Sequence, residues 1–260
     1  MTPTLSNAAV WAFTADKVVL WLLVMTRLTG LLSAMPLLGA TKLPLQVRVA
    51  LAVLVSLVLV PGVPAPAVLS TGIPALLSQM ASELAVGLVL GTVVAWIIEA
   101  VAFAGGLMDM QMGFSFVQFL DPSTAQNTSV SASFMVQAAS VLVFVTGLHR
   151  VMILALVDSF RVAPLGQGVP LQVMGLVILL GQLLVKGFQL AFPVLAVLFL
   201  MDLLLAISGK FMPQLQLLQL SFPLKIAMGL VILGLMLRQL GPWLIPLFER
   251  APRIALRLLG

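Results

Sequence analysis

The chain has 260 residues, 62% of them hydrophobic and 8% charged, with a net charge of +5 and a mean hydropathy of +1.21. A soluble domain carries about 45–50% apolar and about 25% charged residues, so this composition excludes a water-soluble globule and predicts an all-α polytopic membrane protein. Cysteine is absent, which excludes a disulfide framework, a thiolate nucleophile and a Cys-ligated metal.

The opening segment, MTPTLSNAAVWAFTADK, lacks the basic region of a cleavable signal peptide, and the first long apolar run starts only after Asp16 and Lys17. Six apolar blocks follow: Val18–Gly39, Pro44–Pro61, Pro74–Ala104, Phe134–Phe160, Leu171–Ser208 and Phe222–Phe248. Proline- and glycine-rich connections such as PGVPAP and APLGQGVP separate them. The fifth block, as one straight helix, would rise about 57 Å against a hydrocarbon core of about 30 Å. It is therefore expected either to kink at Pro193 or to fold back as a hairpin. Orientation is contradictory: Lys42 and Arg48 favour a cytoplasmic first connection, yet alternation over six spans puts the Arg250, Arg253 and Arg257 tail on the other side. That basic tail suits anionic lipid or a protein partner. Asn127-Thr128-Ser129 matches a glycosylation sequon, a tripeptide that also arises by chance.

Charges interrupt the blocks at Arg27, Glu83, Glu99, Lys186, Asp202 and Arg238. Ionisable groups in apolar helices face protein or water, so these residues form either pairs between helices or subunits, or an ion pathway. In the third block Glu83, Gly87, Gly91, Ala95 and Glu99 recur every four residues. Gly87, Gly91 and Ala95 make a small-residue stripe on which another helix can pack closely. Each four-residue step overshoots a helical turn by about 40°, so the stripe spirals and the partner must cross obliquely.

The centre of the chain, GGLMDMQMGFSFVQFLDPSTAQNTS, has a different pattern. Met108, Met110, Met112, Phe114 and Phe116 alternate with Asp109, Gln111, Gly113 and Ser115. That period of two predicts an extended segment with one apolar edge, and Gly105-Gly106 before it weakens a helix. Extended backbone at membrane depth must be buried by protein or line a cavity. The segment is either a deformable Met/Phe seal or a connection that merely packs. Asp121-Pro122 fits an N-cap and first helical residue, restarting a helix through STAQNTSVSASF.

QMGFSFVQFLDP resembles the most recognisable segment of the FliR family, the R component of the flagellar type III export gate. GLHRVMILALVDSFRVAPLG resembles that family's Gly-x-His, Asp-Ser-Phe and Pro-x-Gly landmarks, and AFPVLAVLFLMDLLLAISGKFMPQLQLLQLSFPLKIAMGL its Pro, Pro-Gln and Phe-Pro landmarks. Arg27, Pro36, Pro44 and Arg48 also stand where the family carries similar residues. The resemblance covers nearly the whole chain; the injectisome counterpart, the SctT family, is the alternative within it, and the agreement around the central loop and at His149 favours the flagellar member.

The resemblance implies a single export-gate subunit, residues 1–260, built of bent helical hairpins like a FliP-like plus FliQ-like fusion. The hairpins would fall in 1–104 and 122–260, around a central plug loop at 105–121. That plug would comprise Gly105, Gly106, Met108, Met110, Gln111, Met112, Gly113, Phe114 and Phe116. Implied partners are FliP-like, FliQ-like, FlhB-like and FlhA-like proteins, unfolded export substrates and membrane lipid, at the flagellar basal body in the bacterial inner membrane. No cofactor, no metal and no nucleic acid are implied. The competing readings are an ion- or proton-coupled secondary transporter, motivated by the charges, and a membrane enzyme. The enzyme reading has only His149 beside Arg150 to stand on, since no HExxH, GxxxxGK or G-x-S-x-G is present.

Overall fold

The computed structural model describes residues 7–35, 44–63, 72–114, 129–166, 172–211 and 217–259. Among them the chain is helical: α1 (Asn7–Ala34), α2 (Leu45–Leu59) with a 3-10 turn at Val60–Gly62, α3 (Ile73–Met112), α4 (Val130–Val145), α5 (His149–Val162), α6 (Val173–Phe211) and α7 (Leu217–Leu258). Asp16–Ala34, Ile73–Met112, Val173–Lys210 and Ser221–Leu258 are long and apolar enough to cross a membrane.

Three of the sequence blocks need correction or resolution. Pro44–Pro61 yields only the 15-residue α2, which rises about 22 Å and falls short of a bilayer core. Phe134–Phe160 is not one helix but two. Leu148 N–H donates to the Val143 carbonyl and Gly147 N–H to the Phe144 carbonyl, the paired bonds that end α4. Gly147 holds φ +74° there, a left-handed conformation that glycine adopts without steric cost. The fifth block does not fold back as a hairpin. α6 runs 39 residues through Pro193, although proline removes the donor for one carbonyl of the ladder.

The chain forms two compact units. One combines Met1–Ala95, His149–Leu176 and Arg250–Gly260; the other combines Trp96–Leu148 and Val177–Glu249. In the first unit, α1 buries Leu20, Leu23, Val24, Leu28 and Leu31, the three- and four-residue recurrence of one helix face. Arg27 falls within that face and is equally buried. α1 meets the start of α3 at backbone contact. A Cβ on Gly87 would overlap the Arg27 carbonyl oxygen, and one on Gly91 would lie 2.5 Å from the Leu31 carbonyl oxygen. Gly30 answers from α1, its missing Cβ facing the Leu84 carbonyl oxygen. Ala95 is half-buried.

In the second unit, Ser131, Met135, Ala139 and Val143 of α4 are buried at four-residue intervals. The end of α3 buries Val101, Ala104, Met108 and Met112. α6 and α7 supply Leu190, Ala191, Val194, Leu198, Leu240, Leu244 and Phe248, and Gly187 lets the Ala100 carbonyl come close to α6.

The predicted extended segment is corrected over its described part: Gly105–Met112 are the last turns of α3. Glycine costs a helix about 1 kcal/mol, but tertiary packing offsets it here, because a Cβ on Gly105 would overlap the Ala132 backbone. The helix also reorders the methionines. Met108 and Met112, four residues apart, are fully buried, whereas Met110 is 69% exposed. Phe114 is half-buried, and Phe116 with the rest of 115–128 lies outside the described residues. The helix containing VSASF starts at Val130 with Ser129 as its N-cap; the N-cap expected at Asp121-Pro122 lies outside the described residues.

Candidate functional site

Two polar clusters interrupt the hydrocarbon, one in each unit. The first is centred on Arg27, which is 0% exposed, and Glu83, which is 1% exposed. Arg27 Nε donates to Glu83 Oε2 at 2.6 Å, Nη1 to Ser159 Oγ at 3.1 Å and Nη2 to the Ala163 carbonyl at 2.9 Å. The guanidinium carbon lies 4.5 Å from the centre of the Phe160 ring. The other Glu83 oxygen accepts from Gly166 N–H at 2.9 Å, and Gly166 holds φ +77°. The Ser159 hydroxyl itself donates a hydrogen bond to the Leu156 carbonyl at 2.6 Å. Buried charges cost several kcal/mol unless paired and fully hydrogen-bonded, and this pair has hydrogen bonds on both partners.

Chemically, the cluster joins α1, α3, α5 and the turn after α5 through one arginine. The Asp-Ser-Phe and Pro-x-Gly landmarks of the sequence supply Ser159, Phe160 and Gly166. A fixed, water-excluded ion pair is suited to holding helices together rather than to carrying ions.

The second cluster lies where α3 ends and α4 begins. Asp109, only 3% exposed, accepts from Ser131 N–H at 3.1 Å and from the Ser129 hydroxyl. Ser129 Oγ in turn accepts from Ala132 N–H at 3.1 Å. A carboxylate at the first turn of α4 meets free N–H groups and the positive end of the helix dipole. Gly113 then turns the chain at φ +88°, against the Phe222 ring. Met112 packs on Gly229, where a Cβ would come within 2.7 Å of its methyl carbon. Gln111 Nε2 donates to Asp202 Oδ2 at 3.0 Å, and Lys225 Nζ pairs with Asp202 Oδ1 at 2.5 Å.

The structure thus brings Arg27 to Glu83, and Asp202 to Lys225 and Gln111. Glu99 and Lys186 are exposed; Lys186 donates to Gln189 at 3.1 Å, and neither has an ion pair among the described residues. Gly106 faces open space. His149 is half-buried at the start of α5 with Arg150 exposed beside it. No group of three metal-ligating side chains occurs among the described residues. Sequence reasoning missed Ser159, Ala163 and Lys225 as partners, and Asp109 as the cap of a helix that starts 21 positions later. The lysine at the start of α7 was readable as a charge, but nothing local marked it as the Asp202 partner.

Residues 18–251 match the model of the bacterial export proteins, family 1. The flagellar biosynthetic protein FliR of Escherichia coli is 30% identical over 226 residues, covering 86% of each chain. FliR of Caulobacter vibrioides is 29% identical over 86% of this chain and 90% of its own, and FliR of Pectobacterium carotovorum 29% identical over 86% of each. Over most of its length, therefore, the chain belongs to the bacterial export proteins, family 1, the family of FliR.

Proposed function

We propose that the chain is a non-enzymatic subunit of the flagellar type III export gate in the bacterial inner membrane, assembled with FliP-like and FliQ-like subunits. FlhB-like and FlhA-like proteins would adjoin it, and unfolded export substrates would pass through the assembled channel. One observation carries the reading. The apolar windows of α6 and α7 are only 28% and 17% buried within the chain, and α6 exposes Val177, Ile178, Leu184, Val185, Phe188 and Phe192. Helices this long and this uncovered complete their packing on other helices or on lipid.

At the gate, the end of α3 with Met110, Gln111, Gly113 and Phe114, continued by the segment beyond, serves as the seal. Met108 and Met112 anchor it from within the core. The Arg27–Glu83 pair favours this reading over a coupled transporter, because both charges are already bonded and shut away from water.

The test is co-expression of the tagged chain with and without the neighbouring export genes, followed by native mass spectrometry of the detergent extract. The expected result is a large complex holding several FliP-like and FliQ-like chains. A stable monomer or small homo-oligomer that never recruits them overturns the proposal.

A further inference from the structure

We propose that the cleft between α1 and α2 is a binding site for the headgroup of a glycerophospholipid, with Arg48 as its phosphate ligand. The cleft is a cavity of about 320 Å³ lined by Met25, Thr29, Ser33, Arg48, Val49 and Ala52. Arg48 is the only one of these that carries a charge, and it has no acidic partner among the described residues. Its Nε is shut off from solvent without a hydrogen-bond partner among the described residues. A buried guanidinium N–H left unmade is costly, and the usual remedy is an anion presenting two oxygens. Arg48 also lies in the first turn of α2, the end of a helix dipole that disfavours a cation and favours an anion.

The two hydroxyls narrow the ligand further. Thr29 Oγ1 donates to the Met25 carbonyl at 2.8 Å and Ser33 Oγ to the Gly30 carbonyl at 2.8 Å. In this geometry both hydroxyls donate to the helix backbone, and their oxygens have lone pairs left to accept. A ligand matching the cleft brings an anion for Arg48, donor groups for Thr29 and Ser33, and hydrocarbon for Met25, Val49 and Ala52. A phosphodiester bearing glycerol or ethanolamine on one side and acyl chains on the other carries all three. α2 supplies the bed for those chains, exposing Val47, Leu51, Leu54, Leu57 and Val58. Being too short to cross a bilayer core, it leaves an arginine one turn from its end within reach of the headgroup layer. A carboxylate from another subunit would also answer the charge on Arg48, and the loss of a partner chain in the experiment below is its signature. The inference stands independently of the export role.

The full-length chain, purified in mild detergent with the partner chains it retains and then delipidated, is offered phosphatidylglycerol, phosphatidylethanolamine or inorganic phosphate alone. Native mass spectrometry under raised collision energy scores what stays bound. Retention of either lipid by the wild type, weakened at least about tenfold in Arg48→Gln and unchanged in Lys186→Gln on the exposed face of α6, supports the site. Ser33→Leu keeps the charge but fills the cleft, and loss of the lipid there supports the site even if Arg48→Gln does not fold. Equal retention by the wild type and the folded variants overturns it. So does retention of phosphate without lipid, and so does loss of a partner chain, rather than of lipid, in Arg48→Gln.

Discussion

At the scale of single residues, Arg27 has the most to lose. Its three nitrogens reach Glu83, Ser159 and the Ala163 carbonyl, so removing Glu83 leaves a fully buried cation with only neutral partners. Glu83→Ala is expected to destabilise the chain by about 3–5 kcal/mol, read as a lower melting temperature in detergent. Replacing both charges, as Arg27→Met with Glu83→Met, should cost less than the two single changes summed, because the second removes a charge the first had stranded. Simple additivity would show that the two are not energetically coupled. Both charges were legible in the sequence as ionisable groups inside apolar helices. Their pairing was not, because they are 56 positions apart and no local spacing rule reaches that far. The same holds for Asp202 and Lys225, which lie on different helices.

At the scale of elements, two patterns in one helix had opposite outcomes. The small-residue stripe of α3 was legible because glycine lacks a side chain wherever it stands, and Gly87 and Gly91 do meet the α1 backbone. The alternation from Met108 to Met112 misled, because a period of two describes an extended edge only when the polar positions face away from the core. Here Asp109 points inward and is satisfied by the first turn of α4, a partner invisible from local sequence, so the helix continues. The two kinds of glycine in α3 separate cleanly by experiment. Gly87→Ala drives a Cβ into the Arg27 carbonyl and should destabilise by about 1–3 kcal/mol, the usual cost of overpacking. Gly106→Ala meets nothing within 4 Å and should stabilise by about 0.5–1 kcal/mol through helix propensity. Thermal melting of the two variants side by side checks the pair; equal effects would mean that α1 and α3 do not pack through Gly87.

At the scale of the whole molecule, composition made the membrane class plain, but the number of crossings and the division of the chain were not legible. Each unit gathers segments far apart in sequence, such as Met1–Ala95 with His149–Leu176 and Arg250–Gly260, and hydropathy carries no record of such pairings. Helices of 40, 39 and 42 residues also exceed the roughly 20 residues of an ordinary span. Counting charges at the ends of regular spans was therefore bound to contradict itself. The seal proposed for the end of α3 can be tested only in the assembled complex, and the helix decides which methionine to change. Met108 and Met112 are core residues, so a polar group there would disturb folding and conductance together. Met110 is 69% exposed on the same turns, and a charge there leaves the core intact. If this surface closes a channel, an apolar constriction that excludes water by dewetting is opened by Met110→Asp. The resting ion conductance of purified complexes in planar bilayers should then rise severalfold over wild type. Background conductance from a fully assembled Met110→Asp complex would mean that the seal lies elsewhere and that Met110 faces lipid or another subunit.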